Sequence, residues 1–150
     1  MRKVAIFVLL VYAIIPAIAS NGLQAPTGLM CDLLRNPARA IITDDKPEFG
    51  WIVNDDRQGA EQSAFQIIVA SSQEIINKNK GDMWDSKKVN STRSINVEYE
   101  GKELQEMSQY WWKVRTWDGK NKKSEYSDAQ MFRMGKFDVL IGINLLREGL

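Results

Sequence analysis

The sequence offers few of the side chains that enzymes use for chemistry. It contains no histidine, so the commonest general base and metal ligand is missing. Cys31 is the sole cysteine, with no histidine partner and no Cys-x-x-Cys neighbour. That argues against a thiol nucleophile and against a zinc site. No Gly-x-Ser-x-Gly elbow and no phosphate-binding loop occurs. Carboxylates remain. Asp44-Asp45, Asp55-Asp56 and Glu98/Glu100 are the available pairs for chemistry that needs two carboxyl groups across a cleft. Among 19 acidic residues such pairs arise by chance. All three fall on expected loops or exposed strand positions, so they read as solvated surface without the burial that shifts a catalytic pKa. The sequence therefore nominates no catalytic, cofactor-binding or metal-binding residue and no cofactor, and it leaves any binding residues unknown.

A second constellation concerns recognition. If Tyr110, Trp112 and Val114 point inward along a strand, then Trp111, Lys113, Arg115 and Trp117 point outward. Two aromatics interleaved with two cations suit cation–π stacking. Ser124-Glu125-Tyr126-Ser127 follows after a turn and can bring Tyr126 against Arg115. The face reads first as a structural ladder, because cations fill the gaps between rings. The alternative is a platform on which aromatic planes stack against sugar rings. Lys120, Lys122 and Lys123 also cluster, but on a Gly-Lys-Asn turn without interleaved aromatics, as in a solvated loop.

The elements that must carry these residues are short. Apolar segments of strand character are expected at 27–34, 48–53, 64–71, 84–89, 94–99, 109–117 and 128–134, separated by turn signals such as Asn36-Pro37, Asp55-Asp56 and Gly119. Phe49, Trp51 and Val53 share one phase, and Phe65, Ile67 and Val69 another. Ser71 and Glu74 have the spacing of a capping box, which predicts one short helix stopped by Gly81. Many short strands and no long amphipathic helix indicate an all-β antiparallel sandwich. Trp51, Phe65, Ile67, Tyr110, Trp112 and Val114 are its expected common core.

The first 19 residues read differently. Arg2 and Lys3 precede an apolar run over 4–15, Pro16 breaks it, and Ala17-Ile18-Ala19 supplies small residues for cleavage. This predicts a secretory signal peptide at 1–19 and an exported, periplasmic or extracellular protein. The other reading, a membrane anchor, would require the peptide to stay uncleaved, and the run is short for the ~20 residues of a span. Cleavage removes Arg2 and Lys3 and leaves acidic residues one in excess of basic ones. No basic face for nucleic acid follows from such a balance. Residues 20–26 read as a flexible lead, 27–137 as the sandwich and 138–150 as a tail.

Leu104, Ser108 and Tyr110 stand in the pattern of a tyrosine corner. Such corners occur in fibronectin type III and related immunoglobulin-like domains, whose core Trp is matched by Trp51. Further pieces stand in order: Leu34-Arg35-Asn36-Pro37, Pro47-Glu48-Phe49-Gly50-Trp51, Ala64-Phe65-Gln66-Ile67-Ile68-Val69, Gly81-Asp82-Met83-Trp84-Asp85, Tyr110-Trp111-Trp112-Lys113-Val114-Arg115-Thr116-Trp117-Asp118 and Phe132-Arg133-Met134-Gly135. With these the chain resembles the N-terminal β-sandwich module of bacterial alpha-L-rhamnosidases. The resemblance implies a non-catalytic module of an exported glycoside hydrolase, whose acid and base carboxylates reside in a downstream barrel. It implies the remaining modules of such an enzyme as partners. A stand-alone module that binds a glycan or a protein is the alternative. The resemblance stops after Phe137-Asp138, which suggests a gene fragment left by a shifted frame or an early stop.

Overall fold

The computed structural model describes residues 22–136. The expected signal peptide at 1–19 and the tail at 138–150 lie outside the described residues. In chain order the elements are β1 (Thr27–Cys31), β2 (Glu48–Ile52), β3 (Gln62–Ala70), α1 (Gln73–Asn77), β4 (Trp84–Asp85), β5 (Val89–Asn90), β6 (Val97–Glu98), β7 (Gln109–Asp118) and β8 (Gln130–Arg133), with a single 3-10 turn at Pro37–Arg39. One sheet has the order β1-β2-β6. The other runs β4-β3-β7-β8, with β5 also on β3. Every strand pairing is antiparallel. The chain is the expected immunoglobulin-like sandwich with one short helix.

The core lies between the sheets and contains all six expected residues, Trp51, Phe65, Ile67, Tyr110, Trp112 and Val114. Trp112 is fully buried and packs its ring 4.4 Å from that of Phe49. Its indole N–H donates to Gln130 Oε1 at 3.1 Å. The Gln130 amide in turn donates to the Leu29 carbonyl at 2.7 Å and to the Arg35 carbonyl at 3.0 Å. One glutamine of β8 therefore ties the second sheet to the first. The tyrosine corner forms as well. Tyr110 Oη accepts the Gln105 N–H at 2.8 Å, beside the buried Leu104. That bond fixes the segment by which the chain crosses from β6 to β7.

Several boundaries differ from the sequence reading, each for a local reason. The strand expected at 27–34 stops at Cys31. Asp32 and Leu33 adopt φ of 48° and 62°, and the chain turns back so that Cys31 and Leu34 exchange hydrogen bonds of 3.1 and 2.9 Å. Apolar Leu33 and Leu34 mimic a strand but are exposed. The strand expected at 84–89 divides into β4 and β5 because Lys87, at φ 55°, forms a kink. Asp85 Oδ1 accepts the Lys87 N–H at 2.9 Å, and Ser86 Oγ serves as the ladder partner of Ile67 N–H at 2.9 Å. The strand expected at 94–99 keeps ladder geometry only at Val97–Glu98, with Asn96 at φ 52°.

The helix cap moves by one residue. Ser72, not Ser71, is the N-cap, and its Oγ accepts the Ile75 N–H at 3.3 Å. Ser71 is held instead by Asp82, which accepts its N–H at 2.9 Å and its hydroxyl at 2.5 Å. Glu74 cannot close a capping box from that position and pairs with Lys78 at 2.6 Å. The helix ends at Asn77, before Gly81. Gly81 serves the following turn, where a Cβ would lie 2.0 Å from the Trp84 carbonyl oxygen. Residues 22–26 are held against the sandwich. Leu23 bridges to Asp55, Gln24 N–H donates to the Asn54 carbonyl at 2.8 Å, and Pro26 is fully buried.

One core position is anomalous. Thr116 faces inward on β7 with no exposure, and its hydroxyl has no hydrogen-bond partner among the described residues. A buried hydroxyl without a partner costs about 1–3 kcal/mol. Thr116→Val, which keeps the shape, is expected to leave stability unchanged or raise it. Trp112→Ala, which opens a cavity, is expected to lower it by about 3–5 kcal/mol. Urea unfolding of both variants against the wild-type chain checks the pair. A Thr116→Val variant weaker than wild type would reveal a partner for that hydroxyl.

Candidate functional site

The outward face of β7 forms the expected ladder. The Arg115 guanidinium lies 4.6 Å from the Tyr126 ring centroid and 5.2 Å from that of Trp117. Lys88 sits 5.2 Å from the same Trp117 ring. Arg115 also donates from Nε and Nη2 to Gln66 Oε1 at 2.9 and 2.6 Å, and Gln66 passes a bond of 2.7 Å to Asp85. Burial pushes the Asp85 carboxyl up, but the Lys87 ammonium and the Gln66 amide outweigh it and hold the group below its ordinary value.

The segment carrying Tyr126 is stitched to β7 by its serines. Ser124 and Ser127 accept the N–H groups of Thr116 and Val114 through Oγ, each at 3.1 Å. Their own N–H groups return to the carbonyls of the same two residues at 2.9 and 2.8 Å. Trp117, expected to face outward, is only 8% exposed. Trp111 packs with Tyr126 against Ile75 and Ile76 of α1. Cations therefore stack on the Trp117 and Tyr126 rings, and Trp111 and Tyr126 give part of their surface to the helix cluster.

The carboxylate pairs do not converge. Asp44 accepts the Lys46 N–H at 2.9 Å within a turn, and Asp45 is exposed. Glu98 is exposed and meets Lys46 at 3.4 Å, while Glu100 is exposed as well. Asp55 departs from the solvated-surface expectation. Its side chain is covered and grips Arg57, which donates from Nε at 2.9 Å and from Nη2 at 2.5 Å. Arg57 also reaches Asp118 at 2.6 Å. The guanidinium holds the Asp55 carboxyl down to about 2 and lowers Asp118 too. The two acids in turn raise the pKa of Arg57. Asp118 is further engaged by the N–H groups of Lys120 and Lys122, at 2.9 and 2.8 Å, which shapes the turn of the lysine cluster.

Sequence reasoning missed this clamp. Arg57 and Asp118 are 61 residues apart, and only the pairing of β3 with β7 brings them together. Asp32 was missed as well. Burial pushes its carboxyl up, the Glu48 N–H that it accepts at 2.8 Å works the other way, and the Asp44 charge adds to the rise. Its backbone N–H donates to the Glu48 carbonyl at 2.8 Å, so Asp32 acts as a ladder partner for β2. Cys31 is fully buried as a free thiol. Burial first, then the charges of Asp32 and Asp44, push it upward, away from nucleophilic thiolate. Among the described residues no cluster of three His, Cys, Asp or Glu could hold a metal ion.

Two of the concave regions adjoin the core and bear on function. A cleft of about 290 Å³ opens at the seam between the sheets, with Phe65, Trp84, Val89 and Val97 on its apolar side and Arg93, Glu98 and Glu100 on its polar side. A second, of about 430 Å³, is formed by Thr43, Asp44, Asp45, Glu103 and Leu104.

A family model described as "Rha78A-like, N-terminal immunoglobulin domain" matches residues 26–138. An alpha-L-rhamnosidase of Formosa agariphila is 43% identical over 97 residues, which is 65% of this chain and 10% of that protein. Among solved structures, the alpha-L-rhamnosidase from Dictyoglumus thermophilum superposes with a TM-score of 0.73 at 38% identity, over 77% of this chain and 13% of that one. The Streptomyces avermitilis alpha-L-rhamnosidase complexed with L-rhamnose gives 0.70 at 31% identity, over 77% and 11%. The chain thus spans about a tenth of the length of the relatives it matches.

The Arg57 clamp makes acid stability a test of the site. A carboxylate whose folded pKa is depressed stabilises the fold above its unfolded value and loses that contribution as pH falls through the folded one. For Asp55 the window runs from 3.8 down to about 2. Asp118, Asp82 and Asp85 act in the same direction, and the raised Asp32 in the opposite one. The thermal midpoint is expected to fall across that window, and Arg57→Gln is expected to flatten the fall without abolishing it. Midpoints measured by circular dichroism across that range decide; superimposable acid limbs would remove the clamp from the account.

Proposed function

Because the chain belongs to the family of Rha78A-like N-terminal immunoglobulin domains, we propose that it serves as a structural module of an exported alpha-L-rhamnosidase and cleaves no glycoside itself. The observation that carries this reading is the share of the relatives that it covers, about a tenth of each. Nine-tenths of the length of those hydrolases lies outside the matched part. The geometry agrees with the division. Glycoside hydrolysis needs one carboxyl kept protonated near neutral pH and a second one facing it. Here the covered carboxyls Asp55 and Asp118 are clamped to Arg57 and held ionised, while Asp32 closes a strand ladder. Export rests on Arg2, Lys3, the apolar run over 4–15 and the small residues Ala17-Ile18-Ala19.

A second reading, a glycan-binding module, is favoured by the seam cleft, where Trp84 and Phe65 adjoin Arg93, Glu98 and Glu100. Titration of the chain with L-rhamnose, followed by tryptophan fluorescence in wild type and Trp84→Phe, separates the two. The structural reading expects no saturable change.

For activity, the purified chain is expected to release no phenol from an aryl alpha-L-rhamnoside above the background of a buffer control. Turnover that disappears on replacing a single Asp or Glu would overturn the reading.

A further inference from the structure

We propose that the end of the sandwich around Ile41, Met107 and Gly135 is a docking surface for the module that follows this one in an alpha-L-rhamnosidase. Its occupant presents an apolar side chain flanked by Lys or Arg. The inference rests on the structural-module reading above and adds where the contact is made.

Two large apolar side chains are exposed there, Ile41 at 59% and Met107 at 71%. Both are anchored to the last described stretch of chain. Ile42 N–H donates to the Arg133 carbonyl at 2.9 Å, and Gly135 N–H donates to the Ile42 carbonyl at 2.7 Å. Met134 N–H donates to the Ser108 carbonyl at 2.9 Å. The exit strand therefore runs between the segment bearing Ile41 and the segment bearing Met107. Gly135 lets Ile41 lie across it, since a Cβ at that position would fall 2.1 Å from Ile41 Cγ2. Met107 is held at φ 58°, a conformation that costs a side chain energy and here keeps a methionine in solvent.

The charge around this end has one sign where the cavity opens. Leu104 and Thr43 adjoin Asp44, Asp45 and Glu103 around a space of about 430 Å³. Thr43 reaches within 3.5 Å of the Gly135 Cβ position, so the cavity and the exit are continuous. Of the two cations adjacent in sequence to these acids, Lys46 is turned to Glu98, and Lys102 lines the neighbouring hollow beside Glu103 rather than this cavity. An apolar group entering between these carboxylates is best accompanied by basic residues.

The path of the chain selects the occupant. The family model ends at residue 138, two residues beyond Lys136, and the longer relatives continue from an N-terminal position. Two extended residues span about 7 Å. Whatever follows in such a protein begins beside Ile41 and Gly135. A rival apolar area exists on the outer face of the three-stranded sheet, where Ile52 and Ile95 lie over Gly28 and Gly50. The last described residues are bonded to Ile42 and Ser108, not to that face.

The test grafts residues 26–138 of this chain into the full-length Formosa agariphila rhamnosidase in place of its matching segment, and compares the graft with the unmodified chain. Docking is expected to raise the module's melting transition in the graft by about 5 °C or more over the isolated chain. Ile41→Asp with Met107→Asp is expected to erase that gain while leaving the isolated chain's midpoint unchanged. Asp45→Lys with Glu103→Lys is expected to reduce it, and Ile52→Asp with Ile95→Asp to leave it intact. If the unaltered graft shows no gain, the structural-module reading itself fails. If the gain survives Ile41→Asp with Met107→Asp but falls with Ile52→Asp and Ile95→Asp, only the surface is wrong. Sedimentation of the isolated chain as a dimer that Ile41→Asp dissociates would assign the surface to a second copy and overturn the proposal.

Discussion

No disulfide joins the two sheets, because the chain has one cysteine and that thiol is free. Trp112 takes over the task of holding them in register. Its ring fills the middle of the sandwich against Phe49, and its indole N–H engages Gln130, whose amide spans to Leu29 and Arg35. A buried indole needs a partner for its N–H. Here that partner is an amide that carries the bond onward to the opposite sheet. Trp51 repeats the device at the other side, donating to Gln62, whose amide donates to the carbonyls of Ser91 and Arg93. Two tryptophan–glutamine pairs thus set the relative position of strands that no disulfide connects.

The second sheet is then covered on its outer face, which explains why β3 is buried almost throughout. Ile68 and Ala70 lie under Ile76 of α1, with Trp111 and Tyr126 closing the cluster. Further along β7, the Arg115 guanidinium between Trp117 and Tyr126 replaces a helix with a charged ladder. The guanidinium stays hydrogen-bonded to Gln66 while its faces meet rings, which satisfies both its donors and its weakly hydrated planes. Aromatic and cationic residues that could have formed a recognition face are consumed in building the sheet's outer layer.

The same economy applies to the acids. Asp55 and Asp118 close a clamp through Arg57 between the loop after β2 and the end of β7, Asp82 holds the residue before the helix cap, and Asp32 and Asp85 complete ladders or turns. Side chains of a kind that could do chemistry are engaged in shaping backbone. Ile41 and Met107 are among the large apolar residues left in solvent, and they lie beside the last described residues, close to where the family match ends.

Period-two alternation was enough to determine the sandwich and the inward set, because a strand with one wet face must segregate its side chains. Phe49, Trp51, Phe65, Ile67, Tyr110, Trp112 and Val114 were legible for that reason, and so was the stacking of Arg115 with Tyr126, since phase and a following turn dictate it. Strand ends were not legible at Cys31, Lys87 and Asn96. There a left-handed residue, stabilised by turn bonds, overrides an apolar run that reads as continuous strand. Nor was the cap, because Asp82 competes for Ser71 from 11 residues away. The Arg57 clamp and the Gln130 bridge, which spans 101 residues to Leu29, exist only once the sheets have formed. Sequence by itself determined the inward set between the sheets, though not the cover over Trp117 on the outer face or the exposure of Leu33 and Leu34. Tertiary structure alone decided which polar groups meet, because hydrogen bonds at such separations have no local pattern to announce them.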